Sequence, residues 1–289
     1  MYLTDKKVLE LKEKANEVRK NIVEMVAEAG SGHLAGALGM ADIFTLFYFH
    51  ILKHDPKNPL WEDRDRLVLS NGHICPVLYA VMAQAGYFSL AELKTLRKFG
   101  ARLQGHPHRE YLPYLETSSG PLGEGLSQAV GMALADQIDK LTGSQKNLNR
   151  YIYCFMSDAE FNEGNTWEAL MLAGKNKLNN LITLIDLNNI QISGPTQEIM
   201  PLGPLKEKLE SFNWNVLEVN GHDFKKLNEI IEKAQTEKIK PSIIIAQTIA
   251  SKGIKQWEND YTWHGKAPNK EEEKMALAEL AELKANFTI

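Results

Sequence analysis

The sequence predicts an α/β protein with a doubly wound, mostly parallel sheet flanked by helices, and three observations carry that expectation. Two short apolar runs rich in β-branched and aromatic residues, YIYCFM (151–156) and LITLID (181–186), read as strands buried on both faces. Between them, residues 162–176 bring Trp167, Leu170, Met171 and Ala173 round at near-helical spacing, which suits the crossover of a right-handed βαβ unit. The alternation recurs downstream, where WNVLEV (214–219) and SIIIAQ (242–247) are strands separated by a helix at 223–237.

The other elements follow in chain order. Helical periodicity from about residue 5 to 29 stops at AGSGH, where Gly30 and Gly32 are suitable terminators. A second helix is expected from about Met40 to Leu52. HDPKNPLWEDRDR is a proline-bearing surface loop, and RLVLS is a short buried strand ending in the turn Asn71-Gly72-His73. Helices account for most of 75–100. A long loop, GARLQGHPHREYLPYLETSSGPLGEG, then leads to a helix at 126–142 with Val130, Met132, Ala133 and Ile138 inward. The C-terminal 270–286 is rich in Glu, Lys, Ala and Leu and is expected to be helical. With no repeat, linker or low-complexity tract, residues 1–289 are expected to form a single domain.

Composition narrows the function classes. A chain of 289 residues with 44% hydrophobic content can bury one large core or two modest ones. A net charge of −4, with lysines spread among acids, leaves no electrostatic footprint for nucleic acid. No apolar run reaches the roughly 18 residues that span a bilayer. The N-terminal MYLTDKKVLELKEKANEVRK is a charged helix without a signal-peptide core, so a cytoplasmic protein without a membrane partner is expected. Cys75 and Cys154 lie in apolar surroundings, as small buried hydrophobes do.

Asp158 and Asn188 fall just beyond the carboxyl ends of neighbouring predicted strands, the crevice where open α/β sheets bind ligands. Such residues also serve as turn formers or helix caps, so the pairing carries the reading. One carboxylate and one amide oxygen suit Mg²⁺ or Ca²⁺. Mg²⁺ in particular takes most of its oxygens from phosphate and water. Of eight histidines, four sit in loops beside glycine: His33 in SGHLAG, His73 in SNGHIC, His106 in QGHPH and His264 in WHGKAP. Loops on a rigid sheet commonly carry function, and glycine permits close approach of backbone and substrate. Imidazoles there suit proton transfer and the binding of sugar hydroxyls and phosphate. Zinc is the alternative, but no pair has helical i, i+4 spacing, and His106 with His108 lacks a third ligand. The loop GPLGEG (120–125) opens a helix as phosphate cradles do. Glu124 is a poor neighbour for an anion, however, and the Lys-Ser/Thr of a nucleotide-triphosphatase loop is absent.

The stretch from Ser157 to Gly194, SDAEFNEGNTWEALMLAGKNKLNNLITLIDLNNIQISG, is similar to the Asp-Gly-to-Asn thiamine-diphosphate motif of transketolases and related enzymes. SGHLAGALGMADI, DRLVLSNGHICPVLYA, GHPHREYLPYLETSSGPLGEGLSQAVGMALA and WHGKAP resemble the family's histidine segments, in family order, between about residues 15 and 268. The resemblance implies the diphosphate-binding domain of the thiamine-diphosphate fold, with thiamine diphosphate and Mg²⁺ as cofactors and Ca²⁺ able to substitute. Asp158, Asn188 and the main-chain oxygen of Ile190 would hold the cation. His33 and His106 would face the substrate carbonyl and hydroxyls, while His73 and His264 would contact the diphosphate and assist proton transfer. Gly120, Leu122 and Gly123 would lie against the aminopyrimidine and its methylene bridge, and Ala159 beside the diphosphate. Glu163 and Glu168 match acidic family positions, the first near a dimer interface that couples two active sites. A solvated helix N-terminus is the alternative for both. The family's Gly-Asp-Gly is replaced by Ser157-Asp158-Ala159, a costly change if either glycine used positive φ.

A complete transketolase continues into a pyrimidine-binding domain and a smaller C-terminal domain, and this chain ends after the first. The resemblance therefore implies the N-terminal subunit of a split transketolase of the pentose phosphate pathway. Its partners would be a second copy of itself and a separately encoded C-terminal subunit, joined in a heterotetramer. Its reaction would move a two-carbon ketol unit from a ketose phosphate to an aldose phosphate. The glutamate that protonates the aminopyrimidine would come from the partner. Two alternatives stay open: another thiamine-diphosphate enzyme, such as 1-deoxyxylulose-5-phosphate synthase or a transketolase-like enzyme of unusual sugars, and a non-catalytic binding subunit.

Overall fold

Helix α1 (Asp5–Ala29) opens the chain. Thr4 Oγ1 accepts from the Lys7 N–H at 3.2 Å at its start, and Gly30 closes it at φ 65°. These and all later coordinates come from a computed structural model that describes residues 2–143 and 149–287. Helices α2 (Ala35–Gly39) and α3 (Ala41–Leu46) follow, and the chain then winds through a π turn at Phe47–Ile51. The second helical region thus begins ahead of the expected Met40. Every residue of α2 is buried, so it has no polar face and no periodic signal.

Strand β1 (Arg66–Leu69) leads to α4 (Cys75–Ala85). The helix expected to continue towards residue 100 stops at Gly86, φ 94°, and only a 3₁₀ segment at Leu90–Thr95 follows. Next come α5 (Glu124–Thr142), β2 (Ile152–Ser157), α6 (Gly164–Asn176) and β3 (Leu181–Leu187). A small hairpin of β4 (Ile190–Gln191) and β5 (Gly194–Pro195) precedes α7 (Thr196–Ile199) and α8 (Leu205–Ser211), elements too short to leave a pattern in the sequence. The last elements are β6 (Asn215–Asn220), α9 (Phe224–Thr236), β7 (Ser242–Gln247) and α10 (Lys270–Ala285).

The main sheet has the order β1-β2-β3-β7-β6, and every neighbouring pair is parallel. Alternate residues of β2 feed two cores. Ile152, Cys154 and Met156 pack with Leu126, Val130, Leu170 and Leu209 from α5, α6 and α8. Tyr153 and Phe155 face the other way, towards α1, α3 and α4. There Phe155 meets Phe44 and Phe47 edge to face at centroid distances of 5.0 and 4.7 Å. Two residues expected inward point out: Ile138 is 49% exposed and Met171 51% exposed. Met171 follows buried Leu170, and neighbouring helical positions differ by about 100°, so both cannot face the sheet. Met132 and Trp167 are half-buried at the edge of the same core. Among the described residues no helix is long and apolar enough to cross a membrane, and both cysteines are free and buried.

Candidate active site

The carboxyl ends of β1, β2, β3 and β7 converge because their registers match. Ser157 pairs with Asp186, and Asp186 pairs with Ala246. Asp158, the next residue after β2, is 1% exposed. Its Oδ1 accepts from the Ala159 N–H at 2.9 Å, and its Oδ2 from the Asn189 N–H at 3.1 Å and the Thr196 hydroxyl at 3.2 Å. Asn189 adopts φ 61°, a conformation Asn tolerates, and this turns the chain from β3 into the β4–β5 hairpin. Asn188 donates from Nδ2 to Asp186 Oδ2 at 2.9 Å, while its Oδ1 accepts from the Ile190 N–H at 3.1 Å. The Thr248 hydroxyl donates to the other Asp186 oxygen. Burial pushes the Asp158 carboxyl up to about 6. Burial together with the nearby Asp158 pushes Asp186 up to about 7. Neither forms an ion pair among the described residues.

All four glycine-flanked histidines line one cleft of about 330 Å³, with Asp158 and Asn188 in its wall. The His33 ring lies 5.1 Å from His73, 5.4 Å from His264 and 6.4 Å from His106, and His73 lies 5.3 Å from His264, centroid to centroid. Gly120, Leu122, Ala159 and Ile190 line the same cleft. Burial pushes His33 down to about 4, assisted by His264, His106 and Arg97. It also holds His73 well below the usual imidazole range and lowers His264, and it lowers His106 with help from Arg97. Each shift favours the neutral ring, which offers one N–H and one lone pair. Among the described residues, His33 Nδ1 and Gln191 Nε2 have no hydrogen-bond partner and are buried at this cleft.

Three predicted residues stand outside the cleft lining. Glu163 is exposed at the start of α6, as is Glu168 within it. Gly123 lies behind the wall, at φ 82°, and a Cβ there would sit 2.2 Å from Asn165 Oδ1. The substitutions in the Gly-Asp-Gly pattern meet no backbone obstacle: Ser157 is extended at φ −97°, and Ala159 is not among the residues with positive φ. Among the described residues, no group of three or more His, Cys, Asp or Glu is arranged to hold a metal ion.

Sequence reasoning missed Glu160, which is fully buried. Its Oε1 accepts from the Gly123 N–H at 2.8 Å and from the Ser70 hydroxyl, and its Oε2 from the Ser157 N–H at 2.7 Å. Ser70 Oγ in turn accepts from the Gly125 N–H at 3.1 Å. The ends of β1 and β2 are thereby tied to the loop that begins α5. An acidic residue three positions after Ser157 is a capping-box signal visible in the sequence. Its reach to Gly123 is not.

Residues 11–289 match the family described as the thiamine diphosphate binding domain of transketolase. The chain is 40% identical over 272 residues to the 6-deoxy-6-sulfo-D-fructose transketolase subunit of Clostridium sp. (strain MSTE9), covering 94% of this chain and 96% of that one. It is 36% identical over 274 residues to an apulose-4-phosphate transketolase subunit of Phocaeicola vulgatus, covering 95% and 94%. The crystal structure of transketolase from Campylobacter jejuni superposes with a TM-score of 0.88 at 39% identity, and this chain covers 42% of that longer one. With its parallel sheet, its histidine-lined cleft and full-length similarity to two transketolase subunits, the chain belongs to the transketolase family, in its thiamine diphosphate binding domain.

Proposed function

We propose that this chain is the N-terminal, diphosphate-binding subunit of a split transketolase that moves a two-carbon ketol unit from a ketose phosphate to an aldose phosphate. The convergence of four histidines from four separate loops on Asp158 and Asn188 is the observation that carries the reading. In this reading residues 1–289 form one diphosphate-binding domain. The pyrimidine-binding and C-terminal domains lie on a partner chain, and a second copy of each chain completes a heterotetramer. Two relatives covered along nearly their whole length are called subunits, which supports that division.

The residues present fit Mg²⁺ and thiamine diphosphate. Buried carboxylates need a cation or hydrogen-bond partners to stay charged. Asp158 is near enough to Asp186 to raise its carboxyl, and among the described residues no cationic side chain pairs with either. Asp158, the Asn188 amide oxygen and the Ile190 carbonyl would hold Mg²⁺, or Ca²⁺ in its place, with Asp186 orienting Asn188 through its amide. The unpartnered His33 Nδ1 and Gln191 Nε2 await polar atoms of a ligand. When bound, thiamine diphosphate would supply a thiazolium whose C2, once deprotonated, is a carbon nucleophile and whose ring is an electron sink for cleavage of the carbon–carbon bond.

The chain's own side chains then bind and orient. His73 and His264 would contact the diphosphate, with Ala159 beside it, and Gly120 and Leu122 would lie against the aminopyrimidine, with Gly123 supporting that loop from behind the wall. His33 and His106, whose neutral forms burial favours, would donate to the carbonyl oxygen or accept from a hydroxyl, the balance that general acid–base transfer requires. Glu163, exposed at the N-cap of α6, would act at the contact with the second copy rather than in the cleft.

The similarity to subunits acting on a sulfo-sugar and on apulose 4-phosphate favours a second version of the same reading, in which the donor is an unusual sugar rather than a pentose phosphate pathway intermediate. The test is to combine the chain with its partner, thiamine diphosphate and Mg²⁺. Ketol transfer is then assayed from xylulose 5-phosphate and from 6-deoxy-6-sulfofructose to an aldose phosphate. Turnover of either donor supports ketol transfer and selects the sugar. Cofactor binding without turnover of any ketose donor would leave a binding subunit.

A further inference from the structure

We infer that Arg97 is a positioning residue for the two substrate-facing histidines: its guanidinium braces the loops that carry His33 and His106 and sets the electrostatic field at both rings. This rests on the assignment of those two histidines made above.

Two geometric observations and one of charge converge on Arg97. The first is its seat. A Cβ built on Gly105, the residue before His106, would lie 3.0 Å from the Arg97 guanidinium carbon. A Cβ on Gly32, the residue before His33, would lie 4.0 Å from Arg97 Nη1. The guanidinium therefore occupies the gap between two Gly-His pairs that are 73 positions apart (105 minus 32). A side chain at Gly105 would crowd the guanidinium in this position.

The second observation is the backbone. Arg97 stands at φ 60°, in the left-handed region that non-glycine residues seldom adopt. Its N–H donates to the Leu103 carbonyl at 2.8 Å, closing the turn that leads into Gly105 and His106. Glycine at this position would relieve the backbone and lose the side chain, so the strain is kept where the side chain is used.

The third is charge. Neighbouring Lys98 and Arg102 pair with Glu28 and Glu92, whereas Arg97 forms no ion pair among the described residues. The charged or titratable groups acting on His33 are His264, His106 and Arg97, and Arg97 acts on His106. An uncompensated cation disfavours a second positive charge on either imidazole. Both rings thus keep a free lone pair under conditions where an ordinary surface histidine begins to protonate.

The test is NMR titration of the histidine imidazoles in the full-length chain, with His33 and His106 assigned through His33→Gln and His106→Gln. In Arg97→Gln both apparent pKa values should rise by roughly 0.5 to 1, the size expected for removing one nearby charge across partly aqueous surroundings. Arg97→Lys, which keeps the charge, should leave them close to the wild type. Unmoved titrations in Arg97→Gln, or equal movement in Arg97→Gln and Arg97→Lys, would overturn the inference. In the assembled enzyme the acid limb of the kcat/KM profile should move upward by the same amount in Arg97→Gln. If the titrations move as expected while the wild-type assembly shows no ketol transfer, the assigned reaction fails and the role of Arg97 stands.

Discussion

The carboxylate of Glu160 accepts the Gly123 N–H at 2.8 Å, joining the residue two after Asp158 to the loop that opens α5, 37 positions earlier in the chain. With Ser70 and Ser157 it closes a buried network around one acidic side chain, so the cation end and the pyrimidine end of the proposed cofactor site share a support. Glu160→Gln keeps the volume but turns one acceptor into a donor facing an N–H. The expected loss is about 1–3 kcal/mol in urea unfolding. Thiamine diphosphate affinity of the assembled enzyme should fall roughly 10-fold or more by calorimetry, since displaced supports of a metal site typically cost that much. Wild-type affinity in a variant that is destabilised would reduce Glu160 to a folding role.

Asp158→Ala should abolish metal-dependent cofactor binding and leave the fold standing. The wild-type assembly with cofactor at 100 times its dissociation constant gains about 2.7 kcal/mol from ligand linkage. In the variant the Mg²⁺-dependent part of that gain should vanish from the thermal shift. A shift of wild-type size would remove Asp158 from the cation site.

His33→Ala should lower kcat/KM for ketol transfer by roughly 10²–10⁴, the usual worth of a positioned acid–base group, with cofactor affinity unchanged. The two readouts separate its expected role from that of His73, whose replacement should weaken diphosphate binding. Equal effects of both variants on cofactor affinity would contradict the division of labour among the four rings.

Stability at acid pH should turn on Asp42, which lies outside the histidine cleft. Arg19 donates to both of its oxygens at 3.0 and 2.7 Å, and His222 Nδ1 meets Oδ2 at 2.7 Å, while His222 Nε2 accepts from the Ile249 N–H. Burial alone would raise this carboxyl, but Arg19 and His222 outweigh it and hold it well below the usual carboxylate range. A depressed carboxylate stabilises the fold above its unfolded value, and the gain is lost as pH falls through the folded value. Asp42→Asn should therefore cost about 3–5 kcal/mol at pH 7, the range for breaking a buried ion pair, and the deficit should shrink at pH values below about 4. Urea unfolding at pH 7 and at pH 3.5 measures the difference. A deficit independent of pH would assign the loss to packing.

Much of the fold was legible because strands and helices leave periodic traces. β7 lies where SIIIAQ placed it, and α1 stops at Gly30, where the helix signal ends. Local chemistry was equally readable at the histidines, where glycine marks loops that must approach something closely. The misses have physical causes. α2 is buried on all sides and shows no amphipathic face, and Ile138 lies outward near the end of α5. The 75–100 segment has helical composition, but Gly86 ends α4 and only a 3₁₀ segment follows.

Residue type and short spacing alone specified the strand–helix alternation, the glycine-flanked histidines, the Asp158–Asn188 pairing and the resemblance to transketolase. The folded arrangement was needed to show that Glu160 ties Ser70 to Gly123 and that Thr248 and Asn188 both hold Asp186. The same is true of Arg97, seated between Gly32 and Gly105. Those relationships depend on the register of parallel strands separated by whole crossover helices, and long-range register is set by the packing of both cores at once rather than by any local run of residues.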